Sequence, residues 1–247
     1  MKNTITRAQR RGSRDYQEDY YYFSRMETAE LNGWMLAVMD GHDGKEVAEF
    51  CREEIGKLFE IINPDETEPK LRRLVSELNS RTANFQAGST LSVAVILESH
   101  FMASIAILGD SPVVVFDKHG KLHASPEHNV RSNPEERAAV EKRGGVYSDG
   151  YIFTRESNNG LQLSRALGNA HLNEILSREP DIYTISDPQW VLVASDGVFD
   201  PSHEHTSHLL EEIKQHAMNN ASAEDIVRWA EIRGLEDNAT AIVWSLP

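Results

Sequence analysis

The chain alternates between short apolar runs of strand length and stretches with helical periodicity. The apolar runs are bounded by polar, Gly-containing or Pro-containing segments, which is typical of strands separated by turns. In the other stretches apolar residues recur every three or four positions, as on one face of an amphipathic helix. The predicted strands cover residues 20–23, 34–39, 91–97, 101–108, 113–116, 161–163, 190–194 and 239–245. The predicted helices cover residues 45–62, 68–84, 202–218 and 222–233.

The order of these elements predicts an α+β fold. The helices fall into an early pair and a late pair, whereas a doubly wound parallel sheet would place a helix after nearly every strand. The closely spaced middle strands favour antiparallel pairing. With 247 residues, of which 40% are hydrophobic, the chain is expected to form one domain over residues 1–247.

A long polar segment interrupts the strands in the second half of the chain. Residues 127–160 are rich in charge and glycine, and the stretch SNPEERAAVEKRGG predicts a short helix within them. Excursions of this length usually lie on the surface and often carry function. We therefore expect a surface flap at about residues 129–160.

The composition limits which binding partners and which cellular compartment are expected for the protein. The formal net charge of −14 argues against nucleic acid or a membrane surface as the main partner, because either would require a basic face. Cys51 is the only cysteine and falls on the apolar face of the first helix, so we expect a core residue and no intrachain disulfide. No stretch has the apolar core of a secretory signal or the length of a transmembrane helix. These features predict a soluble, cytoplasmic protein.

Four aspartates occupy similar positions relative to the predicted strands. Asp40 and Asp196 each end an apolar run, whereas Asp19 and Asp237 each precede one. Antiparallel neighbours place the start of one strand beside the end of the next, so we expect the four carboxylates on one rim of the sheet. Such like charges repel unless cations neutralise them, and oxygen ligands suit Mg²⁺ or Mn²⁺ better than Zn²⁺. The alternative is that each aspartate only caps a turn.

Nine short motifs are spread over nearly the whole chain. They are Arg14-x3-Glu18-Asp19, Asp40-Gly41-His42-x-Gly44, Gly88-Ser89-Thr90, Gly109-Asp110-Ser111, Ser132-Asn133-Pro134-x-Glu136, Gly144-Gly145, Ser164-Arg165-Ala166-Leu167-Gly168, Ser195-Asp196-Gly197 and Asp237-Asn238-x-Thr240. In this order they resemble the motifs of the metal-dependent serine/threonine protein phosphatases, often called type 2C or PPM. The compact length is more similar to that of the bacterial members.

The resemblance implies a fold and a metal centre. The fold would be a four-layer α-β-β-α sandwich, in which two antiparallel sheets are flanked by helix pairs. Two Mn²⁺ or Mg²⁺ ions would lie at one end of this sandwich. By their positions in the motifs, Asp40 would bridge both ions and the carbonyl of Gly41 would bind one of them.

The remaining ligands follow from the same motifs. Asp196 and Asp237 would bind the second ion, while Glu18 and Asp19 would hold ion-bound waters or complete the shell. A third ion would involve Asp196 and Glu127, because Glu127 stands where we align an acidic ligand of the bacterial members.

Two further residues receive catalytic roles from the resemblance. Arg14 would clamp two phosphoryl oxygens, and His42 would protonate the leaving serine or threonine oxygen. A water bridging the two ions would attack phosphorus as hydroxide. Without the resemblance, Arg14 is one of several bases near the N-terminus and His42 is an ordinary loop histidine.

Several positions differ from the usual family pattern. Pro112 follows Gly-Asp-Ser where arginine is usual, and Asn169 follows Ser-Arg-Ala-Leu-Gly where aspartate is common. Asp43 adds a charge beside the main site. A histidine cluster further along the chain is read as a solvated helix start rather than as a soft-metal site. It consists of His203, His205 and His208.

The function expected from the sequence is therefore phosphoprotein hydrolysis. The substrates would be phosphoserine and phosphothreonine proteins, so that the enzyme counters a serine/threonine kinase, and the flap would influence substrate choice. We expect a monomer that binds neither nucleic acid nor membranes. Two alternatives stay open: a pseudophosphatase that uses the fold as a binding module, and a metal-dependent hydrolase of other phosphate monoesters.

Overall fold

The computed structural model of the protein describes residues 3–27, 32–62, 66–157, 159–199 and 209–246. Across these ranges, no helix combines the length and the apolar composition that a bilayer-spanning segment needs. The helices are α1 (Glu46–Ile61), α2 (Thr67–Thr82), α3 (Pro134–Lys142), α4 (Leu210–Met218) and α5 (Ala223–Ile232). The strands are β1 (Thr4–Arg10), β2 (Tyr20–Glu27), β3 (Asn32–Met39), β4 (Gly41–His42), β5 (Gly88–Ser89), β6 (Leu91–Leu97), β7 (Met102–Leu108), β8 (Val113–Asp117), β9 (Leu122–Ala124), β10 (Val146–Ser148), β11 (Tyr151–Phe153), β12 (Leu167–Gly168), β13 (Asp181–Ser186), β14 (Pro188–Ala194) and β15 (Ala239–Ser245).

Two five-stranded sheets form the centre of the fold. One sheet has the strand order β1-β15-β14-β8-β9, and the other has the order β13-β7-β6-β3-β2. All neighbouring strands in both sheets are antiparallel. The short strands β12, β5 and β4 form a separate three-stranded sheet. The antiparallel pairing predicted from the short connections is confirmed.

Strand β3 is apolar along most of its length because both of its faces are buried. Successive side chains of a strand point to opposite faces. Leu36 and Val38 belong to the core between the two sheets, together with Val193 of β14. Met35 and Met39 belong to the core between their own sheet and the first helix pair. Truncating a fully buried side chain such as Leu36 to alanine would cost roughly 2–5 kcal/mol of folding free energy.

Each helix pair covers the outer face of one sheet. Val47, Cys51 and Ile55 lie four residues apart on α1 and are fully buried in the core that α1 and α2 share with β3 and β6. Burial raises the pKa of the Cys51 thiol to about 12, which fits the predicted core role. Ile213 of α4 and Val227 of α5 pack against the other sheet. The predicted four-layer α-β-β-α sandwich is confirmed.

The predicted flap contains helix α3 and the β10-β11 hairpin. Asn133 begins the helix, since its side chain accepts hydrogen bonds from the amides of Glu135 and Glu136, and Pro134 occupies the first helical turn. The flap and the segment after it share a small apolar core of their own. Its buried residues are Val130, Val140, Ile152, Leu161, Leu163, Ala166, Leu172, Ile175 and Leu176.

A group of charged side chains lies under the flap. The guanidinium of Arg165 pairs with Glu136 and, at 3.0 Å, with Oδ1 of Asp181. The imidazole of His128 lies 3.1 Å from Oδ2 of Asp181. Burial alone would raise the pKa values of both acids, but these contacts outweigh it and lower both below their usual range. We call these four residues the paired cluster.

The structure differs from the predicted elements at several places. Strands β1 and β13 were not predicted, because β1 is largely polar and only half of the residues of β13 are apolar. Both lie at a sheet edge, where one side faces solvent. The strand predicted at residues 161–163 is wrong. Leu161 and Leu163 make only isolated bridges, to Ile152 and Asn129, and their side chains fill the flap core. Of the predicted helix 202–218, the structure describes residues 209–218, in which α4 begins at Leu210, and the histidine cluster lies outside the described residues.

Candidate metal centre

The strand registers bring two pairs of acids to one end of the sandwich. The first residue of β2 pairs with the last residue of β3, so Asp19 and Asp40 lie at adjoining strand ends. In the other sheet, β14 pairs with β15 up to the last residue of β14. Asp196 follows that residue closely, and Asp237 precedes β15. The rim predicted from strand order is therefore built from both sheets.

The acids from the two sheets line one cavity of about 520 Å³. Asp19 does not line this cavity, and only 3% of its surface is exposed. Asp43 also lines the cavity, in a left-handed backbone conformation with φ of 57°. The predicted site residues along its wall are Arg14, Glu18, Asp40, Gly41, His42, Asp196 and Asp237.

Asp19 is held by two hydroxyl groups. Its Oδ2 accepts a hydrogen bond of 2.7 Å from Ser195 and another of 2.7 Å from Thr240. Its Oδ1 is buried, and no group of the described residues donates a hydrogen bond to it. Burial raises the pKa of Asp19 to about 6, although the two hydroxyl groups act in the opposite direction. One carboxylate oxygen of Asp19, whose charge acts on Asp40 in the cavity wall, is thus buried without a donor among the described residues.

Asp40 and Asp196, which are half-buried, are shifted in the same direction. Burial, followed by the charges of Asp19 and Asp196, raises the pKa of Asp40 well above its usual range. Burial, followed by the charges of Asp110 and Asp237, does the same to the pKa of Asp196. Without cations, these groups favour protonation because neighbouring carboxylates repel. We call these five aspartates the acid rim.

The donor set of the acid rim fits hard divalent cations. It supplies carboxylate oxygens with raised pKa values and one orphaned oxygen on Asp19. Among the described residues, no three His, Cys, Asp or Glu side chains converge closely enough to hold an ion by themselves. Mg²⁺ is commonly held by only one or two carboxylates, with waters completing the octahedron. Several acids around a cavity of this size can hold such a partly hydrated ion.

The turn after Asp40 explains two of the short motifs. A Cβ atom on Gly41 would lie 2.6 Å from the carbonyl oxygen of Glu18, so the position requires glycine. The Thr90 amide donates to the Asp40 carbonyl at 2.9 Å, and the Asp40 amide donates to the Thr90 hydroxyl at 3.1 Å. That hydroxyl also lies 2.7 Å from the hydroxyl of Ser111. The Gly-Ser-Thr and Gly-Asp-Ser motifs thus fix the backbone that carries Asp40.

Arg14 lies at the mouth of the cavity. Its Nη2 donates a hydrogen bond of 2.6 Å to Oδ2 of Asp237, and about half of its side chain is exposed. From the sequence, these two residues are expected to bind different partners, a phosphoryl group and an ion. In the structure they contact each other, so Asp237 orients the guanidinium at the mouth of the cavity.

His42 is held on the wall of the cavity by an asparagine. Its Nε2 lies 2.8 Å from Oδ1 of Asn169. Burial lowers the pKa of His42, while the bond to Asn169 and the charge of Asp43 act in the opposite direction. No role for Asp43 was predicted from the sequence. In the structure its charge acts on His42 and favours the protonated imidazole.

Asp110 was not predicted as a ligand from the sequence. Asp110 lines the cavity and raises the pKa values of Asp40 and Asp196, and Asn129 donates to its Oδ2 at 2.8 Å. The sequence pattern could have identified it, because Asp110 follows the end of an apolar strand by two residues, as Asp196 does. Glu127, the residue assigned to a third ion, instead accepts a hydrogen bond of 3.0 Å from Ser132 and lines a separate cavity.

The flap forms the wall of the cavity that faces the acid rim. Arg131 and Tyr151 line the cavity from the flap, and 41% of Tyr151 is exposed. Gln162, from the segment after the flap, lies on the same wall. This wall of the cavity is therefore built by residues of the flap and of the segment after it.

Comparison with known sequences gives one family. The protein-family profile described as Protein phosphatase 2C matches residues 6–239. The probable protein phosphatase 2C 52 of Oryza sativa subsp. japonica is 29% identical over 94% of this chain and 48% of its own length. The probable protein phosphatase 2C member 13, mitochondrial, of the same organism is 30% identical over 94% of this chain and 65% of its own length. The chain thus spans about half to two-thirds of these curated relatives.

Solved structures share the fold at low identity. The serine/threonine phosphatase Stp1 of Staphylococcus aureus superposes with a TM-score of 0.71 and 20% identity, covering 100% of this chain and 96% of that chain. A serine-threonine phosphatase 2C of Toxoplasma gondii gives a TM-score of 0.72 and 19% identity, covering 98% of this chain and 94% of that chain. At these identities the similarity concerns the fold.

Proposed function

Because the chain belongs to the protein phosphatase 2C family, we propose that it is a metal-dependent phosphatase that hydrolyses phosphoserine and phosphothreonine esters of proteins. The observation that carries the proposal is the acid rim, where carboxylates from both sheets meet at one cavity and the pKa values of Asp40 and Asp196 are raised. Such an arrangement is costly for a protein unless cations bind there.

Asp40, Asp196, Asp237 and the carbonyl of Gly41 are the groups that would hold Mn²⁺ or Mg²⁺, with Glu18 and Asp19 completing the shell. When bound, such ions supply positive charge that polarises a phosphoryl group and lowers the pKa of water. Asp110 is a better candidate than Glu127 for a further ion, because its charge acts directly on Asp196.

Arg14 and His42 supply the remaining chemistry. The guanidinium of Arg14 has several N–H donors in a plane and can hold two phosphoryl oxygens at once, which orients the ester in the cavity. His42 delivers a proton to the ester oxygen as the phosphorus–oxygen bond breaks, so that the serine or threonine departs as an alcohol.

The substrate class follows from the walls of the cavity. The acid rim and Arg14 recognise only the phosphoryl group, so selection among esters depends on the flap residues Arg131 and Tyr151. Phosphorylated proteins are produced by serine/threonine kinases, and a phosphatase of this kind would oppose such a kinase.

One experiment tests the proposal. Turnover of p-nitrophenyl phosphate and of a phosphothreonine peptide is measured with Mn²⁺, with EDTA, and for Asp196→Asn with Mn²⁺. Asp187→Asn is the matched control, since Asp187 pairs with Lys118 at 2.6 Å away from the cavity and its left-handed backbone tolerates asparagine. We expect turnover only with Mn²⁺ in the wild type and the control.

The other outcomes separate the rival functions. Equal turnover with EDTA would exclude the metal-dependent mechanism. Absence of turnover under every condition would indicate a binding module. Hydrolysis of the aryl phosphate without hydrolysis of the peptide would indicate an enzyme for other phosphate monoesters.

A further inference from the structure

The contact between His42 and Asn169 joins two positions 127 residues apart. His42 is the last residue of β4, and Asn169 directly follows β12. Strand β5 lies between these two strands, with Gly88 opposite both His42 and Gly168. The two side chains therefore meet across the middle strand of the small sheet.

Gly88 makes this contact possible. A Cβ atom at that position would lie 2.2 Å from Nε2 of His42 and 2.0 Å from Oδ1 of Asn169. Any side chain there would displace both partners. The glycine of the Gly-Ser-Thr motif thus provides the space in which the imidazole and the amide meet.

The local structure of Asn169 does not explain why an asparagine is present. Asn169 precedes a short 3-10 turn at Ala170–Leu172, yet its side chain makes no capping hydrogen bond there. It is fully buried, and its Nδ2 has no hydrogen-bond partner among the described residues. A buried amide with an unsatisfied group lowers stability, so a contribution to folding does not explain this side chain. Its one hydrogen bond is to His42.

We propose that Asn169 is a positioning residue that holds His42 through Nε2 and thereby makes Nδ1 the nitrogen that gives its proton to the leaving oxygen. This inference rests on the proposed function, in which His42 is the proton donor. Within the described residues Nε2 contacts Asn169, and no hydrogen bond occupies Nδ1.

The chemistry explains why an amide oxygen is suitable. The charged imidazole carries a proton on each nitrogen, and Nε2–H donates to Oδ1 of Asn169. When the phosphorus–oxygen bond breaks, the bonding electrons stay on the ester oxygen, which takes the proton from Nδ1. The neutral ring that remains still carries Nε2–H and keeps its bond to Asn169. His42 regains its proton from solvent, so no rearrangement of the ring or the amide is needed.

The test uses substrates that differ in their need for the proton. p-Nitrophenolate leaves readily without protonation, whereas the alkoxide of threonine needs a proton. Asn169→Gly removes the side chain but keeps the left-handed backbone, which has φ of 51°. We expect turnover of a phosphothreonine peptide with Mn²⁺ to fall by about 10–100-fold, since loss of orientation can cost about 10²-fold. Turnover of p-nitrophenyl phosphate should change less than about twofold, because its leaving group bypasses the proton transfer.

Three variants separate positioning from general damage. Asn169→Asp keeps an acceptor oxygen opposite Nε2 and should retain most of the peptide turnover. Gly88→Ala inserts a methyl group between the partners and should reproduce the selective loss. Asn220→Gly is the matched control, because Asn220 also has a left-handed backbone, with φ of 53°, but is exposed near α5. It should leave both rates unchanged.

A spectroscopic measurement tests the proton position without turnover. ¹⁵N NMR of the imidazole rings in the metal-free protein should place the proton of neutral His42 on Nε2, with His42→Gln identifying the signal. In Asn169→Gly this preference should weaken. A proton on Nδ1 with bare Nε2 in the wild type would overturn the inference.

The kinetic outcomes distinguish a failure of the proposed function from a failure of the inference about Asn169. If the wild type with Mn²⁺ hydrolyses neither substrate, the proposed function is wrong and the catalytic role of Asn169 is lost with it. If the wild type is active but Asn169→Gly lowers both rates equally or neither, only the inference about Asn169 is wrong.

Discussion

The acid rim and the paired cluster are two groups of acids in the same molecule with opposite electrostatics. In the acid rim, burial and neighbouring carboxylates raise the pKa values of Asp40 and Asp196. In the paired cluster, burial acts in the same direction, but Arg165 and His128 lower the pKa values of Glu136 and Asp181. Burial is common to both, and the difference lies in the cations that the fold supplies.

This difference indicates which group is structural and which is functional. The paired cluster brings its own guanidinium, so its charges contribute to holding the flap segment against the sandwich. In the acid rim Arg14 pairs with Asp237 at the mouth, while the pKa values of the deeper acids stay high. A group of like charges kept at the end of the core suits ions from solution.

The largest expected effect is the loss of turnover on changing the acid rim. Asp40→Asn should lower Mn²⁺-dependent turnover by about 10³-fold or more, because several kcal/mol of charge stabilisation are removed and each 1.36 kcal/mol is tenfold in rate. The unfolding free energy of the ion-free protein should not fall, since a neutral amide replaces a carboxyl group whose charged form is repelled by its neighbours. Steady-state kinetics and urea unfolding measure both. A stability loss of the size expected below for Glu136→Gln would contradict the comparison.

The same kind of substitution in the paired cluster should act on stability instead. Glu136→Gln leaves Arg165 without its main partner and should lower the unfolding free energy by about 3 kcal/mol. The matched control is Glu135→Gln, one residue earlier on α3, where the side chain is exposed. Urea unfolding without added ions measures both variants. Equal stability of the two variants would show that the ion pair does not support the fold.

The pH dependence of stability should have opposite signs in the two groups. In the acid rim the folded protein holds protons that the unfolded chain releases near pH 4, so the ion-free protein loses stability as pH rises through about 6, the pKa of Asp19. In the paired cluster the acids have lowered pKa values, so their contribution is present above about pH 4 and is lost as pH falls through the folded pKa values.

Mn²⁺ should restore the folding stability that the acid rim loses as pH rises. At a free concentration ten times its dissociation constant, Mn²⁺ adds roughly 1.4 kcal/mol to the unfolding free energy. It should bind more tightly at pH 7.5 than at pH 5.5, because protons compete with it for the carboxylates. Thermal unfolding at the two pH values, with Mn²⁺ and with EDTA, measures this. The same Mn²⁺ shift at both pH values, or an undiminished shift in Asp196→Asn, would argue against ion binding at the acid rim.

The smallest expected effect distinguishes Asp110 from Glu127. Asp110→Asn should weaken Mn²⁺ binding measurably by calorimetry, because its charge acts on Asp196. Glu127→Gln should leave Mn²⁺ binding unchanged, since Glu127 lines another cavity and contacts Ser132. A loss of binding in Glu127→Gln alone would restore the role that the sequence suggested.

The sequence by itself predicted most of what depends on local pattern. Continuous apolar runs located β3 and β6, and helical periodicity located α1 and α5, because elements buried on both faces are apolar throughout and amphipathic helices carry apolar residues at fixed spacings. The acid rim was predicted from aspartates at strand ends, because antiparallel neighbours place the start of one strand beside the end of the next. Edge strands such as β1 were missed because one side faces solvent and the apolar signal is weak.

Only the tertiary structure decided which charges are compensated and which side chains meet. Asp40 and Glu136 are both acids in recognisable motifs, and nothing local distinguishes a carboxylate that faces other carboxylates from one that faces Arg165. The contact of His42 with Asn169 depends on the register of three short strands and on the missing side chain of Gly88. Interaction energies depend on distance in space, and residues far apart in sequence acquire that distance only when the chain has folded.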